Sequence, residues 1–270
     1  LDVGLDWHQL RRAEPDEEAL TSLFRELEFD SLIDRLELVG GDGTGGDGTT
    51  DEDPALEFDF GPYEEVQEFD PDAVGYNLVQ NRSELEAFAE QLAEQSRYAF
   101  DTETTSTDPM YAALVGLSFS WTAEEATYVP TPLPDGTDTD TVLDVLGPIL
   151  EDATTKVGHN LKYDLLVMRR HGVKVAGPLV DTMVAHYLVA PEENHNLGDV
   201  ARSVLNYKMV PISDLIGDGA DEQSMRDVAV EEAAPYACED ADIALRLADV
   251  LEDRLENDKL LEIAEDMEFP

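Results

Sequence analysis

Six glycines fall within the nine residues from Gly40 to Gly48, and the stretch runs on through Thr49, Thr50, Asp51, Glu52 and Asp53. Nothing in it can be buried against a core, so it is expected to be a flexible linker, placed here at residues 39–73. This break divides what the chain can fold into. Before it, residues 1–38 space Leu20, Leu23, Phe24, Leu27, Leu32 and Leu36 as one amphipathic helix, too little to fold alone. After it, residues 74–266 are long enough to bury a core of their own.

That domain must tolerate an unusual charge. Against 17 basic residues the chain carries 62 acidic ones, a formal net charge of −45. At ordinary ionic strength such charge repels itself within a compact fold and repels nucleic acid. At ~1 M salt the screening length falls to ~3 Å and the objection largely disappears. Only five of the bases are lysine. The expectation is a halophile's protein. An apolar content of 42% excludes wholesale disorder. No apolar run approaches the ~18 residues of a membrane helix. The start, Leu1-Asp2-Val3-Gly4-Leu5-Asp6, lacks the zones of a signal peptide. A cytoplasmic chain with no membrane partner is therefore expected and, since it does not begin with Met, a fragment of something longer. The lone Cys238 excludes an intrachain disulfide and a multi-cysteine zinc site, and it is expected to pack as a small hydrophobe.

Periodicity orders the domain. Gly75 to Val79 reads as a strand. Ser83 with Glu86 reads as a capping box opening a helix that carries Leu85, Phe88, Ala89 and Leu92. Strands follow at Arg97–Asp101, Tyr111–Trp121 and Ala126–Pro130, the last two joined as a hairpin. A helix near Thr139–Leu150, a short strand at Lys156–His159 and mostly helices complete the chain. Strands early and helices late predict a mixed sheet covered by helices, an α/β fold.

Three clusters carry chemistry. Asp101 and Glu103 end the apolar strand Tyr98-Ala99-Phe100, and residues i and i+2 of a strand share a face. Two carboxylates held together repel unless a cation sits between them, and hard oxygen ligands suit Mg²⁺ or Mn²⁺. The second cluster is Val157 to Asp164, where a strand yields to a helix expected to be capped by Asn160. From Lys156 to Lys174 there are five bases (Lys156, Lys162, Arg169, Arg170, Lys174) and one acid, Asp164, although the composition would place about one base and four acids there. This electropositive window is expected to contact phosphates. In the third cluster Pro235 is expected at the first helical position. Tyr236 and Asp240 then lie one turn apart on an otherwise apolar face, where an acid must be paired, protonated or metal-bound. The five histidines lack metal spacing and are expected to be structural or solvated, with His195 placed to help order its own loop.

Taken together, Asp101-Thr102-Glu103, Lys156 to Asp164, Asp181-Thr182-Met183 and Tyr236-Ala237-Cys238-Glu239-Asp240-Ala241-Asp242 resemble the motifs of the proofreading 3′→5′ exonuclease domain of bacterial family A DNA polymerases. Leu23 to Phe29 looks like the tail of the 5′-nuclease region of such polymerases, and Met267 to Pro270 like the start of the polymerase domain. The resemblance implies a ribonuclease H-like mixed β-sheet flanked by α-helices. It implies two divalent ions, Mg²⁺ with Mn²⁺ or Zn²⁺ as alternatives, held by Asp101, Glu103, Asp164 and Asp240, with Tyr236 completing the catalytic set. It implies contacts to a single-stranded or frayed 3′ end of DNA through Asn160, Lys162, Tyr163 and Arg169. The partners implied are covalently linked polymerase and 5′-nuclease domains, in a nucleoid-associated monomer. Two positions depart from the pattern: Thr107 stands where an apolar wedge is usual, and His159 where glutamine is. A ribonuclease D-like RNA-trimming enzyme, a vestigial structural domain and a non-catalytic acidic module remain as alternatives.

Overall fold

The computed structural model describes residues 66–71, 73–217 and 223–269. The helix expected within 1–38 lies outside them. Strands β1 (Gln67–Glu68), β2 (Gly75–Leu78), β3 (Arg97–Thr104), β4 (Leu114–Thr122), β5 (Glu125–Pro130), β6 (Thr155–Gly158), β7 (Leu179–Asp181) and β8 (Tyr207–Lys208) alternate with helices. The longer helices are α1 (Arg82–Ala93), α2 (Thr139–Leu150), α3 (Leu161–Arg170), α4 (Thr182–Val189), α5 (Leu197–Leu205) and, after the single turn α6 (Ser213–Ile216), α7 (Val230–Asn257). A six-stranded sheet has the order β2-β5-β4-β3-β6-β7. Only β4 runs against the others, pairing antiparallel with β3 and β5. The expected hairpin forms through Ala123 and Glu124, the latter at φ 66.

The sheet is buried on both sides because its central strand is apolar in both directions. Tyr98 and Phe100 of β3 pack with Leu85 and Phe88 of α1, Leu146 and Leu150 of α2, and Met168 of α3. Ala99 faces the opposite layer, with Ala185 of α4, Val200 of α5 and Ile243 and Leu247 of α7. Asp101 and Glu103, in step with Ala99, therefore share the α7 side. Among the described residues no helix is long and apolar enough to cross a membrane.

Four expectations about local structure are corrected. The capping box belongs to Asn81 and Glu84, not Ser83 and Glu86: the Asn81 side chain accepts from Glu84 N at 3.1 Å, and Glu84 Oε2 accepts from Gln80 N at 2.8 Å. Glu86 instead pairs with Arg82 at 2.9 Å. Pro235 sits in the second turn of α7, since the helix already starts at Val230, where Ala233 and Ala234 are buried against Ala126 and Tyr128. Its missing N–H leaves the Glu231 carbonyl without that helical bond. Part of the expected linker is ordered too: Gln67 and Glu68 pair in parallel with Tyr207 and Lys208, and Phe69 stacks on Tyr76 at 5.8 Å. Finally, β4 begins at Leu114, because Asp108 turns the preceding chain, its carbonyl accepting from Tyr111 N and Ala112 N.

Candidate active site

Strand β6 pairs with β3 only over Arg97–Ala99, so the last residues of β3 have no strand on that side. Asp164 of α3 takes the vacant place. Its Oδ1 accepts from Thr102 N at 3.1 Å and Thr102 Oγ1 at 2.6 Å. Helix α3 can begin so close because Gly158 has no side chain: a Cβ there would stand 2.3 Å from Leu161 Cδ2 and 3.1 Å from the Phe100 carbonyl oxygen. Asn160, expected to cap α3, does not. It adopts a left-handed φ of 61 and its side chain makes no capping bond. The cap is Asp181, whose carboxylate accepts from Asn160 N at 3.0 Å and Leu161 N at 2.8 Å, and also from Met183 N at 3.0 Å at the start of α4. One carboxylate thus fixes two helix starts.

From the other side, α7 brings Asp240 to the pair on β3. Ligand oxygens of Asp101, Glu103 and Asp240 all lie within 4.8 Å of one another. Burial pushes Asp101 up to about 6. Burial, then the neighbouring Asp101, raises Glu103 and Asp164 well above the carboxylate range. Asp240 is raised by burial, Asp101 and Glu103, and the Tyr236 phenol that hydrogen-bonds it opposes the shift. Burial and the surrounding carboxylates hold Tyr236 protonated. Glu103 Oε1 is buried with no hydrogen-bond partner. Crowded hard oxygens, one of them orphaned, make a donor set suited to divalent cations.

The electropositive window divides on inspection. Lys156 is fully buried, its Nζ donating to the Asp152 carbonyl at 2.9 Å and to Asp152 Oδ1 at 2.7 Å beneath the Tyr98 ring, so it cannot reach a phosphate. Arg170 ties down the loop after β3 by donating to the carbonyls of Pro109 and Ala112. Tyr163 does the same, its hydroxyl bonding Thr104 Oγ1 at 2.5 Å and the Ser106 carbonyl. Lys162 and Arg169 are exposed on α3 and pair with no described carboxylate. Among the described residues, three histidines form one structural cluster. His159 bonds Thr182 Oγ1 at 2.8 Å and the His195 carbonyl at 2.9 Å, while His195 Nδ1 meets His186 Nδ1 at 2.8 Å.

A groove of about 700 Å³ leads away from Tyr236 and Asp240, walled by α5 and by the segment from Lys208 to Ile212. It carries Arg202 and Lys208, two cations that the sequence reading missed. The signal was there to read: between Asp199 and Asp214 the chain carries these two bases and no acid, a shorter basic window than the one from Lys156 to Lys174.

The 3′-5′ exonuclease family matches residues 76–256. The DNA polymerase I of Pseudomonas aeruginosa is 35% identical over 280 residues, which is 100% of this chain and 29% of that protein. The chain thus spans under a third of that relative's length. Among solved structures, Escherichia coli RNase D, an exoribonuclease involved in structured RNA processing, overlaps with a TM-score of 0.57 at 21% identity over 72% of this chain and 48% of that one. Brucella melitensis NrnC overlaps with a TM-score of 0.55 at 21% identity over 72% of this chain and 87% of that one. These likenesses establish the ribonuclease H-like architecture.

Proposed function

The chain belongs to the 3′-5′ exonuclease domain family of DNA polymerase I, and from that premise we propose that it hydrolyses the terminal phosphodiester at a single-stranded or frayed 3′ end of DNA, releasing 5′-mononucleotides as the proofreading part of a longer polymerase. The observation that carries the reading is the convergence of Asp101, Glu103 and Asp240 from β3 and α7, with Asp164 bonded to the residue between the first two. Asp101, Glu103 and Asp240 would hold one divalent ion, and Asp101 with Asp164 a second; Mg²⁺ is assigned first, with Mn²⁺ and Zn²⁺ as alternatives. Bound there, such ions would make a nucleophile from water at neutral pH and offset the charge growing on the leaving 3′ oxygen.

The chain's own groups do the positioning. Tyr236, kept protonated, can orient the attacking water through its hydroxyl, and the unpartnered Oε1 of Glu103 can accept a proton from the same water in a hydrogen bond. Lys162 and Arg169 offer unpaired cations to the phosphates, and Asn160 an uncommitted amide at the helix start. Tyr163, whose hydroxyl is spent on Thr104 and Ser106, serves by shaping the loop that borders the strand rather than by bonding a phosphate.

The test is hydrolysis of 3′-labelled single-stranded DNA and a matched RNA with Mg²⁺ or Mn²⁺, each with a chelator control. Chelator-sensitive release of mononucleotides from DNA is expected. Faster trimming of RNA would favour a ribonuclease D-like reading, and no hydrolysis of either would remove the enzymatic one.

A further inference from the structure

Next to Asp240 on α7 stands Glu239, which is fully buried. Its Oε1 accepts from Tyr207 Oη at 2.8 Å and its Oε2 from Val210 N at 3.0 Å. Both donors belong to the segment that begins at β8 and forms one wall of the groove beside the catalytic acids. Burying a carboxylate is costly unless its charge is met by donors, and two charge-assisted bonds meet it here. A carboxylate is not required for packing at this position. What its two oxygens do is tie a backbone N–H and a phenol of the wall to the helix that carries Tyr236 and Asp240.

We infer that Glu239 is a positioning residue: it fixes the wall from Tyr207 to Val210 at a set distance from Asp240, so that the groove accepts the strand upstream of the bond being cut. This rests on the exonuclease reading above and deepens it. The wall carries Lys208, whose ammonium also pairs with the exposed Glu68, and the opposite side carries Arg202, so the groove's width decides whether a strand's phosphates lie against both side chains at once. Three other ties hold the same segment. The β1 ladder pairs Gln67 and Glu68 with Tyr207 and Lys208, the Lys208 ammonium pairs with Glu68 at 2.9 Å, and the Arg246 guanidinium lies 5.2 Å over the Tyr207 ring. None reaches Val210. Without Glu239 the wall would stay attached at Tyr207 and swing beyond it, which loosens substrate without moving Asp240.

The experiment compares the wild-type chain with Glu239→Ala, Glu239→Gln and Tyr207→Phe, at a salt concentration where circular dichroism shows each folded. Two substrates are used. One is an oligodeoxynucleotide long enough to fill the groove; the other is thymidine 5′-(p-nitrophenyl phosphate), which occupies only the cleavage site. For Glu239→Ala the KM for the oligonucleotide should rise about 10-fold or more with kcat within about 3-fold, and hydrolysis of the small ester should match wild type. Glu239→Gln should recover most of the KM, because its amide oxygen can still accept from Val210 N while its NH₂ donates to Tyr207 Oη. Tyr207→Phe removes one bond and keeps the ring under Arg246, so its KM should rise by only about 2- to 5-fold, and it serves if the alanine variant does not fold. A fall in kcat on the small ester, failure of glutamine to rescue, or an unchanged oligonucleotide KM in folded variants would each overturn the role. Wild-type protein inactive on both substrates would instead remove the exonuclease reading itself.

Discussion

The acids gathered at the proposed centre are raised chiefly by burial, and Glu103, Asp164 and Asp240 also by their neighbours, which makes single substitutions informative. Asp101 belongs to both proposed ion sets, so Asp101→Ala should lower the rate by about 10³-fold or more on single-stranded DNA, as should Asp240→Ala, with the fold intact or slightly more stable once repulsion is relieved. More than about a tenth of the activity left in Asp101→Ala would sink the assignment. Tyr236→Phe keeps the ring and deletes the hydroxyl, so its loss should be smaller, about 10- to 10³-fold, as for one positioned water contact. His159 makes a pH prediction of definite sign. Its pKa is pushed down to about 4, burial being the main cause, so it is neutral in the fold, with Nε2–H donating to the His195 carbonyl as its partners imply. Stability is full above the unfolded value of about 6.5 and falls as pH drops toward the folded one, by on the order of 1–2 kcal/mol at pH 5. Thermal melts of His159→Gln at pH 7 and pH 5 should show a smaller acid loss than wild type by that amount; parallel losses would remove the idea. Residue chemistry was only partly legible in sequence. Asp101, Glu103 and Asp240 were readable because strand and helix periods place them on definite faces. Lys156 was not, because what buries it is Tyr98, a strand away, together with Asp152 before its own strand.

Elements were legible where their signals are local. Helix α2 spans the expected Thr139–Leu150, with Asp138 accepting from Thr141 N at 2.8 Å as its cap. Starts that depend on distant chain were not. Asp181 caps α4 from the adjacent position, but it also caps α3 from 20 residues away, and that second duty has no pattern in the sequence. The consequence is testable because α3 carries Asp164, Lys162 and Arg169. Asp181→Ala removes acceptors at two helix starts, each worth about 1 kcal/mol, so together about 2 kcal/mol and roughly a 4–8 °C fall in Tm. Activity should fall further than stability explains, since the turn holding Asp164 against Thr102 loses its anchor. Differential scanning calorimetry with rates measured well below the transition separates the two effects. A Tm within a degree of wild type would show that α3 and α4 are held by packing alone.

Across the whole molecule the 17 bases cannot neutralise 62 acids, and several bases are already committed. Lys156 is buried with Asp152, Arg97 pairs with Asp249 and Glu252, and Arg246 with Asp242. The exposed pairs Arg82 with Glu86 and Lys208 with Glu68 add little. Most of the surface charge must therefore be answered by solvent ions. A polyanionic substrate meets the same field, with Lys162, Arg169 and Arg202 as the local exceptions. In molar salt each phosphate contact gains little from counterion release, the affinity slope being about −0.7 per contact for a single strand, so metal coordination and base contacts must supply most of the binding. Lowering the salt strengthens the few cationic contacts but unscreens the acids, which weakens the fold and repels DNA at longer range. Activity at saturating Mg²⁺ should accordingly peak at high KCl, about molar, and Lys162→Ala should hurt most at the low-salt end of the folded range. Hydrolysis of single-stranded DNA across a KCl series, with circular dichroism alongside, separates unfolding from lost binding. A protein that is fully folded and most active in dilute buffer, declining steadily with salt, would overturn the halophilic reading and leave the exonuclease reading standing.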